Sequence, residues 1–401
     1  MEIPVGIDIA DGNRKSYVLR LNKNLYELKQ ASLTWFQLLS KGLEDRGFVA
    51  SKVDPCVFFR DNCIILVYVD DCIIISPDTK VIDRFVMSMQ NGKENFQLTN
   101  EGDLARFLGV EITRHADGSI EMTQKHLISR IIDLCQIDKA STNKKDTPVG
   151  KPLLHKDLSG LPRKIERNYR SAVGMLNYLT GSTRPELSMA VHQCARFSNN
   201  PMLSHERAVT RICRYLLATN VSGMIYRPDK TLGLQCYVDA DFAGGWTQVN
   251  ASDPENLMSR TGFVIMFAGC PILWSSRLQT EIALSTTEAE YVALSQAMRE
   301  VIPLMSLMKE LQVIMKVNTR KPKFFCEVFE DNASAIAVAT SPKFTPRTKH
   351  IALKYHHFRQ YVTNNSIRIQ HIDTHEQIAD IFTKPLEEKV FQYLRRKLSG
   401  W

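Results

Sequence analysis

Residues 62–76, NCIILVYVDDCIIIS, admit few structures. The apolar runs 64–69 and 72–75 are too short to cross a membrane as helices and are rich in β-branched residues, so they predict two paired strands. Asp70 and Asp71 fall between them. Adjacent carboxylates at the tip of an apolar hairpin repel each other, and burial would raise their pKa values, unless a cation neutralises them. A hard divalent ion such as Mg2+ suits those oxygen donors. Taken by itself, the pair has a competing reading as an ordinary turn, where Asp is common.

The chain of 401 residues, 44% hydrophobic and 23% charged, predicts a globular protein of two or three domains. It contains no run of apolar residues long enough to span a membrane, and the start MEIPVGIDIADGN lacks the regions of a signal peptide. The expectation is an intracellular protein without a membrane partner. Nine cysteines without a C-x-x-C pair predict reduced thiols, mostly in cores, rather than a disulfide framework or a zinc knuckle. The net charge of +8 is compatible with a polyanionic partner. It is uneven: residues 139–170 carry nine Lys and Arg against three acids, interleaved with Pro148, Pro152, Gly160 and Pro162. That stretch reads as an extended connector, either a solvated linker or a strap that tracks phosphates.

In chain order, Leu25, Leu28, Leu33, Phe36, Leu39 and Leu43 recur at helical steps until Gly47, and residues 78–90 predict a second, amphipathic helix. Residues 107–112 predict a strand, turning at Asp117-Gly118 into 120–122, with a helix over 124–135. Residues 169–228 read as mainly helical; His192 and His205 there are expected at the surface or in the core, and Arg207, Arg211 and Arg214 face either a duplex or solvent.

The last part carries a second set of acids. Residues 234–242 alternate as a strand with Leu234, Cys236 and Val238 on one face, which sends Asp239 out opposite the apolar side. Strands over 261–267 and 272–276 follow. Ser285 and Thr287 then open overlapping capping boxes for a helix toward Leu311, with Glu290 in its first turns. A strand over 324–329 leads to Glu330, Asp331 and the Ala-rich helix 333–340, and an acid at a strand end before a helix sits where α/β proteins place ligands. After a strand over 367–372, Thr374 and Gln377 cap a predicted helix through Phe382 that bears Asp380 outside its apolar stripe.

The wording LNKNLYELKQASLTWF, SKVDPCVFF and YVDD resembles the reverse transcriptase of copia-type retrotransposons, continuously over residues 1–137. YVDADFAG, SSRLQTEIALSTTEAEYVAL, EDNASAIAVA, RTKHIALKYHHFRQYV and QHIDTHEQIADIFTKPL resemble, in order, the ribonuclease H of the same Pol polyproteins. The resemblance implies an α/β and α+β chain: a truncated reverse transcriptase palm and thumb over 1–137, a basic linker and helical connection over 138–231, a ribonuclease H-like domain over 232–385, and a tail helix over 386–401. It implies that Asp239, Glu290, Asp331 and Asp380 hold two Mg2+ ions, with Mn2+ as the alternative, and cut RNA in RNA:DNA hybrids. Register, together with the family resemblance of the surrounding words, favours Asp239 and Glu290 over their neighbours Asp241 and Glu288. In the polymerase remnant Asp70 and Asp71 are the implied metal ligands. The family's further palm aspartate would lie upstream of Met1, Asp8 is a poor substitute, and Glu27 stands where the family has glycine, so polymerase activity is expected to be lost. Lys349, His350, Lys354 and His375 are the implied contacts to the nucleic-acid backbone, with a solvated face as the alternative. Other retrotransposon proteins are implied partners, in a cytoplasmic virus-like particle or the nucleus. The contrasting class is a non-catalytic nucleic-acid binder or a decayed relic.

Overall fold

The computed structural model describes residues 2–3, 17–25, 28–92, 96–164, 168–248, 253–314, 325–341 and 353–401. Contacts divide the chain into two compact units, Met1–Gly102 with Ser306–Asn318, and Asp103–Met305 with Thr319–Trp401.

In the first unit, helix α1 (Ala31–Glu44) precedes strands β1 (Val49–Ala50), β2 (Val57–Arg60), β3 (Cys63–Tyr68) and β4 (Asp71–Ile75), which form one antiparallel sheet in that order, and helix α2 (Thr79–Gln90) follows. The helix starts later than the leucine periodicity, and Leu25 and Leu33 are exposed; Leu39 and Leu43, one turn apart, are the buried pair. Gly47 then takes φ +80, a conformation that favours glycine and turns the chain. The α2 start is fixed by the Asp78 side chain, which accepts from the Lys80 N–H at 2.9 Å. Alternation along β3 buries Cys63, Ile65 and Val67 against Phe48, Phe58, Phe85 and Met89, which is the core of this unit. Asp8 and Glu27 lie outside the described residues.

The second unit opens with β5 (Arg106–Phe107), β6 (Val110–Arg114) and β7 (Ile120–Thr123). The single strand expected over 107–112 is instead a hairpin, because Leu108 and Gly109 take φ 47 and 73 and fold Phe107 back onto Val110. The Asp117-Gly118 turn is present, with Gly118 at φ 82. Helices α3 (Lys125–Leu134), α4 (Tyr169–Thr180), α5 (Ser188–Ala195) and α6 (Leu203–Ala218) pack around Ile131, Leu176, Val191, Val209 and Ile212. Strand β8 (Met224–Tyr226) then joins β7, so the helical stretch ends in a strand.

A five-stranded sheet follows: β9 (Leu234–Asp241), β10 (Arg260–Phe267), β11 (Cys270–Leu278), β12 (Cys326–Glu330) and β13 (Ile367–His371), in the order β11-β10-β9-β12-β13. The first three form an antiparallel meander, and β12 pairs parallel with both β9 and β13. Helices α7 (Thr286–Ile314), α8 (Ala333–Thr340) and α9 (Arg359–Thr363) lie between strands in the sequence, and α10 (Glu388–Ser399) comes last. Far from trailing, α10 buries Phe391, Leu394 and Leu398 and is closed by left-handed Gly400. The helix expected over 374–382 is two successive 3-10 turns, Thr374–Glu376 and Ile378–Phe382. Each is started by its own side-chain cap: Asp373 accepts from the His375 N–H at 2.8 Å, and Gln377 accepts from the Ala379 N–H at 3.3 Å. All nine cysteines are free. Among the described residues no helix is long and apolar enough to cross a membrane.

Candidate active site

The period-two pattern of β9 predicts an acid on the open side of the sheet, but both of its faces are covered and Asp239 is 0% exposed. Its neighbours explain how a carboxylate tolerates that. Thr383 Oγ1 donates to Asp239 Oδ2, and Lys384 Nζ lies 3.0 Å from Oδ1. Opposite Asp239 on β10 stands Gly262. A Cβ there would lie 2.6 Å from Thr383 Cγ2, 2.8 Å from Phe382 Cβ and 3.0 Å from the Ala379 carbonyl oxygen. The absent side chain is what lets the Ile378–Phe382 turn press on the sheet and bring Asp380 and Lys384 to Asp239.

Pairing between β9 and β12 stops at Tyr237↔Phe329, just before the acids. Gln377, 0% exposed, bridges the diverging strands: its Nε2 donates to the Val238 carbonyl at 2.8 Å and to that of Phe329 at 3.4 Å. The splayed ends carry Asp239 and Asp331. Thr374 Oγ1 donates to Asp331 Oδ2 at 2.8 Å and fixes its rotamer. Glu290 enters from the second turn of α7, whose start is tied to β10 by Gln279, donating to the Ala289 carbonyl at 2.8 Å and to Thr261 Oγ1 at 3.1 Å. Oxygens of Asp239, Glu290 and Asp331 all lie within 4.8 Å of one another. Asp380 is held at the edge of this group through Lys384, 2.9 Å from its Oδ1.

A fifth acid belongs here. Alternation on β12 turns Cys326, Val328 and Glu330 to the same buried face, and Glu330 is 0% exposed. Its Oε1 accepts from the Asn332 N–H at 3.1 Å, while its Oε2, like Glu290 Oε2, is buried without a hydrogen-bond partner. Burial, and after it the charge of Glu330, Asp239 and Asp331, raises Glu290 far above the usual carboxylate range. Burial likewise raises Glu330, against the Asn332 hydrogen bond, and pushes Asp380 up to about 7. So much desolvated acid with two orphaned oxygens fits a hard divalent cation. Octahedral ligands of Mg2+ at about 2.1 Å stand about 3 Å apart when adjacent and about 4.2 Å apart when opposite, so the trio would have to draw inward to share one ion.

The remaining expected residues are elsewhere. Asp70 and Asp71 are exposed at the tip of the β3–β4 hairpin, where Val69 takes φ 55 and its carbonyl accepts from Trp35 Nε1 at 2.9 Å. Among the described residues no third acid joins them in a metal-sized group. Lys354 is exposed and ion-paired with Glu281, His375 is exposed on the first 3-10 turn, and Lys349 and His350 lie outside the described residues. Asp241 is in the sheet but not in the converging trio, and Glu288 Oε2 accepts from the Leu284 N–H at 2.8 Å at the helix start. Sequence reasoning missed Glu330, Gln377 and Lys384. The first was readable from the alternation of CEVFE; the other two act through contacts to β9, which no local pattern carries.

Residues 1–151 match the family model described as reverse transcriptase (RNA-dependent DNA polymerase). The chain is 34% identical over 97% of its length to the retrovirus-related Pol polyprotein from transposon RE1 of Arabidopsis thaliana, and 32% identical over 100% to that from transposon TNT 1-94 of Nicotiana tabacum. It covers 25% and 29% of those two proteins, so it spans about a quarter of the length of the curated relatives it matches. A putative transposon Ty5-1 protein of Saccharomyces cerevisiae is 28% identical over 71% of the chain and is covered over 90% of its own length.

Proposed function

Since this chain belongs to the Pol polyproteins of copia-type retrotransposons, with their reverse transcriptase match at its start, we propose that it cleaves the RNA strand of RNA:DNA hybrids in a divalent-metal-dependent reaction. The centre is Asp239, Glu290, Asp331 and Asp380, in a ribonuclease H-like domain over residues 232–385. Residues 1–137 are the reverse transcriptase part, 138–231 the connection, and 386–401 a helix that completes the core. The observation that carries this reading is the convergence of three carboxylates from β9, α7 and β12 within 4.8 Å, beside two buried oxygens without partners. The strand order, an antiparallel meander continued by two parallel strands, supports the ribonuclease H-like assignment.

When bound, a divalent ion supplies the charge that activates an attacking water and offsets the scissile phosphate. The chain's own part is to hold the donors. Thr374 fixes Asp331, Thr383 and Lys384 fix Asp239, and Gln279 sets the start of α7 beneath Glu290. No protein nucleophile is needed. Lys349, His350, Lys354 and His375 are proposed to contact the hybrid backbone, with Lys354 exchanging Glu281 for a phosphate. Because no third acid joins Asp70 and Asp71 among the described residues, polymerisation is not proposed for this chain by itself.

The test is cleavage of a labelled RNA:DNA hybrid by the purified chain with Mg2+, beside Asp331→Asn and Glu290→Gln, with single-stranded RNA and duplex DNA as controls. Hybrid-specific cutting that both substitutions abolish is expected. A folded chain that binds hybrid without cutting it would instead favour the binder or relic reading.

A further inference from the structure

The acid cluster already contains one cation. Lys384 Nζ stands 3.0 Å from Asp239 Oδ1 and 2.9 Å from Asp380 Oδ1, and so fills the space that any ion shared by those two carboxylates would need. The second Asp239 oxygen is engaged by Thr383 Oγ1. Of the four acids assigned to the centre, Asp380 is the one outside the converging trio, and its oxygen turns to the ammonium instead. The oxygens left without partners are on Glu290 and Glu330, acids that Lys384 does not hydrogen-bond.

We propose that Lys384 is a built-in cation that replaces one of the two divalent ions a four-carboxylate centre of this kind would take, so that the site holds a single ion at Asp239, Glu290 and Asp331. This rests on the cleavage reading for the identity of the centre. A second divalent ion between Asp239 and Asp380 would have to expel an ammonium that makes two charge-assisted hydrogen bonds there, or be repelled by it at contact distance. An ammonium has three N–H donors, and two are spent on the carboxylates. The Lys384 side chain is 33% exposed, which leaves the third donor for a substrate phosphate oxygen. Lysine is needed at this place because its spacing of four residues from Asp380 lets one short turn deliver both the carboxylate and its counter-charge.

The experiment counts Mn2+ ions bound to the full chain, by electron paramagnetic resonance of free Mn2+ during titration. The chains compared are the wild type, Lys384→Met, Lys384→Arg, Lys384→Met with Asp380→Asn, and Asp331→Asn. The expected result is one ion in the wild type that Asp331→Asn removes, a second ion gained by Lys384→Met, and return to one when Asp380→Asn is added. Lys384→Arg keeps the charge and is expected to stay at one, which gives a reading even where Lys384→Met does not fold. Two site-bound ions in the wild type, two in Lys384→Arg, or no gain in folded Lys384→Met would overturn the proposal. A folded wild type that binds hybrid without cutting it would instead remove the cleavage reading, and cleavage that survives Asp331→Asn would remove its assignment to this centre; in either case the ion count would still judge Lys384.

Discussion

Gly262→Ala isolates the contact on which the site's geometry depends. The added Cβ would meet Thr383 Cγ2 at 2.6 Å, about 0.8 Å short of ordinary van der Waals contact, and the Ala379 carbonyl oxygen at 3.0 Å. Backbone on that side cannot rotate away as a side-chain tip would, so the Ile378–Phe382 turn must retreat from the sheet. Overpacking of this kind costs about 1–3 kcal/mol, offset by the roughly 0.5–1 kcal/mol that alanine gains over glycine in a strand. The net, about 1–2 kcal/mol, lowers the urea midpoint by about 0.5 M for a slope near 3 kcal/mol per molar and leaves the chain folded in buffer. Activity should fall much further, because displacing a catalytic group by about 1 Å costs on the order of a hundredfold in rate. The assay is urea unfolding and hybrid cleavage on the same preparation. Gly174→Ala is the control: that exposed glycine lies inside α4 with no heavy atom within 4 Å of the place a methyl would take, so it should gain about 1 kcal/mol and keep full activity. A Gly262→Ala chain with wild-type midpoint and wild-type rate would refute the reasoning.

Other perturbations test separate parts of the fold. Burial, then the charges of Arg260, Arg196 and Arg277, hold His192 down to about 3, below its ordinary 6.5, so the unfolded chain binds the extra proton. Its stabilising contribution is complete above pH 6.5 and is lost as pH falls toward 3, about 2 kcal/mol by pH 5; His192→Gln should flatten that part of a stability–pH curve. Arg184, 0% exposed, pairs with Glu186 at 2.7 Å and donates to the Thr219 carbonyl at 3.1 Å. Glu186→Ala strands the guanidinium and should cost about 3–5 kcal/mol in urea unfolding, whereas Arg184→Met with Glu186→Gln should recover most of it. Asp70→Asn with Asp71→Asn should leave hybrid cleavage unchanged, and a loss would count against a centre confined to the second set of acids.

Where a signal was local, the sequence was a good guide. The hairpin around Asp70, the α2 start at Asp78, helix α8 and the long α7 with Glu290 near its beginning follow from alternation, caps and apolar spacing. Positive-φ residues defeated that logic at Leu108 and Gly109, where a hydrophobic run that reads as one strand folds back on itself. Consecutive caps at Asp373 and Gln377 likewise split an apparent helix into two tight turns. The acids of the site were readable as positions, but their burial was not. Alternation along β9 predicts which side Asp239 takes, whereas what covers that side comes from residues 374–384, far along the chain. For the same reason no local pattern singles out Lys384, which pairs with the distant Asp239 as well as with Asp380.

Strand order in the large sheet also governs how the protein is born. The meander β9–β10–β11 is made of near neighbours in sequence and closes early, but β9 waits for β12 and the turns after β13 before its other edge is paired and its acid covered. Contacts of long sequence separation form late because loop closure must be paid first. During synthesis, therefore, RNA near the emerging chain meets half a sheet and no assembled centre. The same interval leaves the β9 edge open, an apolar template for pairing with another copy. Refolding yield should fall with chain concentration, and the onset of cleavage after dilution from denaturant should lag behind the recovery of helix.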